Sequence, residues 1–174
     1  MVIIITGASH TGKTKLASCL MKKYQYPYLS IDHLKMGLIR TKMIKSTVYD
    51  DDLLTEELWP IVSEMIKTVI ENEQNLIVEG CYVPSNWKSY FDKTYLDEIK
   101  FICLFMTRKY IDDHFYDITS HSNDIEKRLS SSISKDELIR ENELYFEKFK
   151  DNPLIINNDY EGDIKRWLGD NNYA

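Results

Sequence analysis

The stretch IIITGASHTGKTKLASCL, residues 3–20, restricts the chain to few folds: a run of β-branched apolar residues meets a glycine-bounded polar loop, and an apolar-periodic stretch follows. Gly7, Ala8, Ser9, His10, Thr11, Gly12, Lys13 and Thr14 fit G-x-x-x-x-G-K-[ST], in which glycine lets backbone N–H groups turn inward around phosphate oxygens. In that pattern Lys13 reaches the terminal phosphates as a point charge and the Thr14 hydroxyl can ligate Mg²⁺. The helix that opens next, from Lys15, adds the partial positive charge of its N-terminus at the same place. Val2–Thr6 reads as a buried strand, and Lys15–Tyr24 carries Leu16, Cys19, Leu20 and Lys23 at helical spacing. Strand, loop and helix thus stand in the order the motif requires. A glycine-rich turn that binds nothing is the plain alternative.

Short apolar runs alternate with helical patterns along the rest of the chain, which predicts βαβ units and an α/β fold with a parallel sheet. The strand candidates are Val2–Thr6, Tyr28–Ile31, Asn75–Val78, Lys100–Met106 and Leu154–Ile156. Leu34, Leu38 and Ile39 suit a short helix after Asp32. Leu54, Leu58, Ile61, Val62, Met65, Ile66, Val69 and Ile70 suit a long helix behind Asp50, Asp51 and Asp52, with a kink or a later start at Pro60. Residues 81–97 read as a loop with a short helix, and Ile111–Ile118 as helical. The polar, serine-rich stretch 119–135 reads as a mobile lid, and DELIRENELYFEKFK resumes a helix with Leu138, Tyr145, Phe146 and Phe149 facing inward. DYEGDIKRWL reads as a terminal helix.

With 174 residues, 43% of them hydrophobic, the chain can bury one good core, so a single domain over 1–174 is expected. A formal charge of −6 argues against general affinity for nucleic acid or an anionic membrane, and any phosphate site must be a local island of positive charge. Cys19, Cys81 and Cys103 are odd in number and far apart, and read as buried thiols of a reducing compartment. The N-terminal run lacks a basic flank and a cleavage site, so cytoplasmic residence is the expectation.

Several charged residues complete the candidate site. Asp32 falls at the carboxyl end of the second predicted strand, where ligands of open parallel sheets bind. It can take the proton of an attacking hydroxyl or hold Mg²⁺ through water, or it can simply cap a helix starting at His33. His33 itself reads as a surface or packed histidine. Glu79 at the end of the third strand takes the place of the acid that organises Mg²⁺, against a solvated strand end as the alternative, and Gly80 allows a ligand close to the backbone. Arg108, Lys109, Lys127, Arg128 and Arg140 surround the lid. Arg128 and then Arg140 are the first choices for neutralising transferred charge. Arg40, Lys42 and Lys45 are candidates for holding an anionic substrate, or else are ordinary solvated charges.

GASHTGKT, SIDHLKMGLIR, LIVEGCYVP and the arginine-bearing polar segment together resemble the small P-loop kinases of the adenylate and shikimate kinase type. YLSIDHLKMGLIR with LIVEGCYVPSNW looks more closely like bacterial 2-phosphoglycerate kinase-like proteins of the same type. The resemblance implies a three-layer P-loop NTPase fold: a five-stranded parallel sheet in the order 2-3-1-4-5, helices on both faces, a small lid after the fourth strand, and Mg-ATP as donor. Nucleoside monophosphate kinases of this type carry an arginine after the third strand that EGCYVP lacks, which weakens a nucleotide acceptor. Members that phosphorylate hydroxyls carry a carboxylate resembling Asp32. The N-K-x-D guanine signature is absent, which favours adenine. The reading is an ATP-dependent kinase of a small hydroxylated metabolite, as monomer or homodimer. The alternatives are a nucleoside or nucleoside monophosphate kinase, and a non-catalytic ATP-binding switch.

Overall fold

The computed structural model of the chain describes residues 1–120, 133–151 and 153–170. In chain order the elements are β1 (Val2–Gly7), α1 (Lys13–Tyr24), β2 (Tyr28–Ser30), α2 (Ile31–Arg40), α3 (Asp51–Glu71) and β3 (Leu76–Glu79). There follow a 3₁₀ turn (Trp87–Tyr90), α4 (Lys93–Leu96), β4 (Ile99–Met106), α5 (Arg108–Ser120), α6 (Lys135–Lys148), β5 (Leu154–Ile156) and α7 (Tyr160–Asp170). The strands form one five-stranded sheet in the order β2-β3-β1-β4-β5, with parallel pairing of β1 to β3, β2 to β3 and β4 to β5. That is the expected topology, and its cause is visible in β1: all six residues of VIIITG are buried, as continuous apolar strands of a parallel sheet must be. Among the described residues, no helix is long and apolar enough to cross a membrane.

The chain divides into two compact units, Met1–Thr6 with Leu16–Phe101, and Gly7–Lys15 with Ile102–Ala174. In the first unit, β2 stops one residue earlier than expected because its last residue, Ser30, also caps α2, which takes Ile31; the Ser30 hydroxyl accepts the His33 N–H. Strand β3 runs one residue further than expected and takes in Glu79, in register with Ile5 on one side and Ser30 on the other. Helix α3 buries Leu54, Leu58, Val62 and Ile66, a stripe four residues apart. It continues through Pro60 rather than starting there. Pro60 lies on the exposed side, where water can satisfy the carbonyl that a missing N–H leaves over. Residues 81–97 pack aromatic rings under the helix: Trp59 meets Tyr90 and Phe91 edge to face, and Trp87 stacks on Phe101 at 4.7 Å. Cys103 is buried as expected, whereas Cys19 is exposed: it lies off the inward stripe that Leu16 and Leu20 give α1.

In the second unit, α5 is longer than expected and breaks at His114 (φ −122°, ψ 15°). Helix α6 opens on a capping box in which Ser134 and Glu137 satisfy each other's backbone N–H groups, and it buries Leu138, Ile139 and Asn142. The turn before α7 is organised by Asp163, which is buried and accepts the N–H groups of Asn157, Asn158 and Asp159 at 2.8, 2.9 and 3.3 Å. Burial alone would push this carboxyl up, but the three backbone donors and Arg166 outweigh it and hold it below the usual aspartate value. Its stabilisation is therefore complete above the unfolded value of about 3.9 and is lost as pH falls through the lower folded value. Asp163→Ala removes the shared acceptor of three part-buried backbone N–H groups and is expected to lower stability by about 1.5 kcal/mol, read by chemical denaturation at neutral pH, with the deficit shrinking below about pH 3. A change under about 0.5 kcal/mol would show that water replaces the carboxylate without loss.

Candidate functional site

The motif loop is built within the second unit. Gly7 has φ +144°, and a Cβ there would stand 2.5 Å from the Leu104 carbonyl oxygen; Gly12 has φ +81°, and its Cβ would strike the Tyr160 hydroxyl at the same distance. Both glycines are therefore dictated by packing as well as by phosphate geometry: strand β4 closes over one, and the first residue of α7 closes over the other. The Tyr160 hydroxyl donates to the Gly12 carbonyl at 2.6 Å, and Lys15 lies 4.9 Å from the Tyr160 ring centroid while pairing with Glu161 at 3.2 Å. His10 sits at φ 62°, the left-handed turn that lets the loop reverse.

Lys13 is 5% exposed, and its ammonium donates to the Ala8 carbonyl at 2.8 Å, the oxygen that also accepts the Thr11 hydroxyl at 2.8 Å. The cation is thus folded across its own loop, held where an anion in the cradle would meet it. Thr14 stands in the first turn of α1, and its hydroxyl makes no hydrogen bond among the described residues. An open hydroxyl of this kind is a hard oxygen ligand suited to Mg²⁺ that arrives with a phosphate. Ser9 donates both its N–H, at 3.1 Å, and its hydroxyl, at 3.0 Å, to Glu141 Oε1 of α6.

The acidic candidates belong to the first unit. Asp32 lies in the first turn of α2, where the helix dipole favours an anion, while Ser30 supplies the cap; the capping alternative for Asp32 is thereby overturned. Asp32 Oδ1 accepts from Lys35 one turn on, at 2.5 Å, with side-chain exposures of 35% and 12%. Lys35 also donates to the Tyr82 hydroxyl at 2.9 Å, and that hydroxyl faces Asp51 Oδ1 at 3.4 Å. Burial pulls the Lys35 ammonium down, but Asp32 and Tyr82 outweigh it and hold it above its ordinary value. Burial pushes the Tyr82 phenol up to about 12, so at neutral pH it keeps its proton and can donate to Asp51 while accepting from Lys35. Among the described residues Oδ2 of Asp32 has no hydrogen-bond partner, which leaves one oxygen to receive a hydroxyl.

Glu79 is 2% exposed and accepts the Tyr28 hydroxyl at 2.9 Å, so it is not a solvated strand end. Among the described residues no group of three or more His, Cys, Asp or Glu side chains is arranged to hold a metal ion. A single open hydroxyl such as that of Thr14 fits Mg²⁺ only as the companion of bound phosphates. Gly80 gives its missing side chain to Ile31, whose Cβ would be 2.8 Å from an added Cβ, and donates its N–H to Ile5 at 3.1 Å. Arg40 is exposed at the far end of α2, about 12 Å along the axis from Asp32 at about 1.5 Å per residue. Arg140 is exposed on α6, where its charge helps hold the Glu137 carboxyl low behind the Ser134 hydrogen bonds. Arg128, Lys127 and most of the lid expected over 119–135 lie outside the described residues.

Lys35, Tyr82, Glu141 and Tyr160 are absent from the sequence reading. Lys35 had a readable signal, an opposite charge three residues after Asp32 on a predicted helix. The other three reach their partners from 31 to 148 positions away, and no local pattern announces them.

Comparison with solved structures gives the decisive likeness. A sugar kinase from Janibacter sp. shares the fold over 97% of this chain and 92% of its own, at 14% identity and a TM-score of 0.56. A deoxyadenosine kinase from M. mycoides with bound dATP shares it over 99% of both chains, at 17% identity and TM-score 0.54. The fold is that of the small P-loop kinases. A shikimate kinase from Bacteroides thetaiotaomicron matches this P-loop kinase fold over 97% of the chain and 96% of its own, at 18% identity and TM-score 0.51. No protein-family model matches the chain. No curated protein matches it either.

Proposed function

We propose that this chain is an ATP-dependent phosphotransferase that moves the γ-phosphate of Mg-ATP to a hydroxyl of a small metabolite. The observation that carries the reading is the loop Gly7–Lys15: two glycines at positive φ, a buried lysine folded across the cradle and an open Thr14 hydroxyl, on the fold of small kinases. The backbone N–H groups of Gly7, Ala8, Ser9, His10, Thr11, Gly12, Lys13, Thr14 and Lys15 are the donors for the triphosphate. Mg²⁺ arriving with the nucleotide would supply neutralisation of phosphate charge, and Thr14 and Glu79 are the residues that would each offer it an oxygen.

On the acceptor side, Asp32 takes the hydroxyl on its open Oδ2. The acceptor oxygen bonds to the γ-phosphorus, the bond to the ADP oxygen breaks, and the hydroxyl proton passes to Asp32. Lys13, with Arg128 or Arg140 as the arginine, stabilises charge on the transferred group. Arg40 and Gly80 are assigned to acceptor binding. Catalysis is positioning plus electrostatics. The protein works in the cytoplasm as a monomer or homodimer, without nucleic acid or membrane as partner.

A coupled ADP-release assay with Mg-ATP tests this against pools of hydroxylated metabolites, nucleosides and nucleoside monophosphates. Stimulation by the first pool is the expected result. Stimulation by nucleosides or their monophosphates alone moves the acceptor to that class. ATP binding without stimulation by any pool would favour a nucleotide-ordered switch.

A further inference from the structure

The cradle of the loop is already partly occupied by the protein itself. Ser9 contributes an N–H to a loop whose N–H groups serve phosphate, yet this N–H and the adjoining hydroxyl both end on Glu141 Oε1, a carboxylate 132 positions away. Its placement is fixed. The next residue, Asn142, is buried, accepts the Met106 N–H at 3.0 Å at the end of β4, and donates back to the Leu138 carbonyl at 2.9 Å. Helix α6 is thus pinned to the strand, and Glu141 is presented to the loop from a rigid element rather than from a swinging arm.

We propose that Glu141 sets the nucleotide affinity of the loop by standing in for a phosphate oxygen at Ser9. The inference rests on the reading of the loop as a nucleotide site and concerns how that site is regulated. Without nucleotide, the carboxylate satisfies the Ser9 N–H and keeps the loop in its cradle shape. When nucleotide binds, a phosphate oxygen and the carboxylate contend for the same donors, and two anions cannot share them without repulsion. Glu141 must leave, and the affinity measured is the intrinsic one reduced by the cost of displacing it. The site therefore stays formed but under-occupied until nucleotide is abundant.

Equilibrium binding of Mg-ATP to the full chain, by calorimetry at low salt, compares the wild type with Glu141→Gln and Glu141→Ala. Glutamine keeps the shape and an acceptor oxygen but removes the charge, and is expected to tighten Mg-ATP binding about tenfold, with the gain shrinking in about 0.5 M KCl as screening sets in. Alanine is expected to tighten it at least as much; if that variant fails to fold, the glutamine variant decides. Wild-type or weaker affinity in Glu141→Gln, beside a wild type that binds, would make Glu141 a brace and overturn the proposal. Absence of Mg-ATP binding in wild type and variants alike would remove the nucleotide reading of the loop, and this inference with it.

Discussion

Lys13→Ala is expected to lower phosphoryl transfer from ATP by about a thousandfold, the scale on which one preorganised positive group stabilises charge that develops in a transition state. The size of the effect follows from where the ammonium sits. It is buried and held by the Ala8 carbonyl at 2.8 Å, so it is already placed at the loop before nucleotide arrives. The fold should survive, because the lost hydrogen bond is worth about 1 kcal/mol. Steady-state ADP release alongside a thermal melt separates the two outcomes. Retained turnover would remove Lys13 from the chemistry, and collapse of the melt would make its role structural.

Asp32→Asn is expected to reduce transfer by at least about a hundredfold while leaving the Mg-ATP dissociation constant within about twofold of wild type. Asparagine keeps the side chain's shape, and its carbonyl can still accept from Lys35, but it cannot take the acceptor's proton. The split between kcat and nucleotide affinity is the informative readout. Tyr82→Phe makes a graded companion, since it removes one of the two hydrogen bonds that Lys35 donates, keeps the one to Asp32, and so loosens the carboxylate without removing it. A proportionate loss of nucleotide binding in Asp32→Asn would mean that Asp32 organises the donor side, and unchanged turnover would end its assignment to the acceptor.

The parts legible in the sequence are those with a local cause. The buried run before Gly7 forces a central strand, and the spacing of Leu54, Leu58, Val62 and Ile66 forces the face of α3. The strand order 2-3-1-4-5 came from the family resemblance carried by GASHTGKT and its companions, and the sheet bears it out. What pattern could not supply were choices between near-equal local solutions and contacts over long separations. Ser30 and Asp32 are both good caps in SIDHL, and the serine wins because the helix opens at Ile31, directly after the last strand residue. Pro60 reads as a helix start, yet its exposed position lets α3 pass through it. Gly7 and Gly12 were legible as phosphate-loop residues. Their packing against Leu104 and Tyr160, and the seat of Ser9 against Glu141, depend on β4, α7 and α6, which lie about a hundred positions or more away.

Phosphorus NMR of the protein with Mg-ATP and the acceptor pool that stimulates ADP release tests the transfer itself. The expected spectrum shows the γ-phosphate signal replaced by one phosphate monoester per ADP formed, and no such change with Lys13→Ala. Inorganic phosphate in place of the ester would make the activity hydrolysis, and an unaltered ATP spectrum with nucleotide bound would contradict phosphoryl transfer altogether.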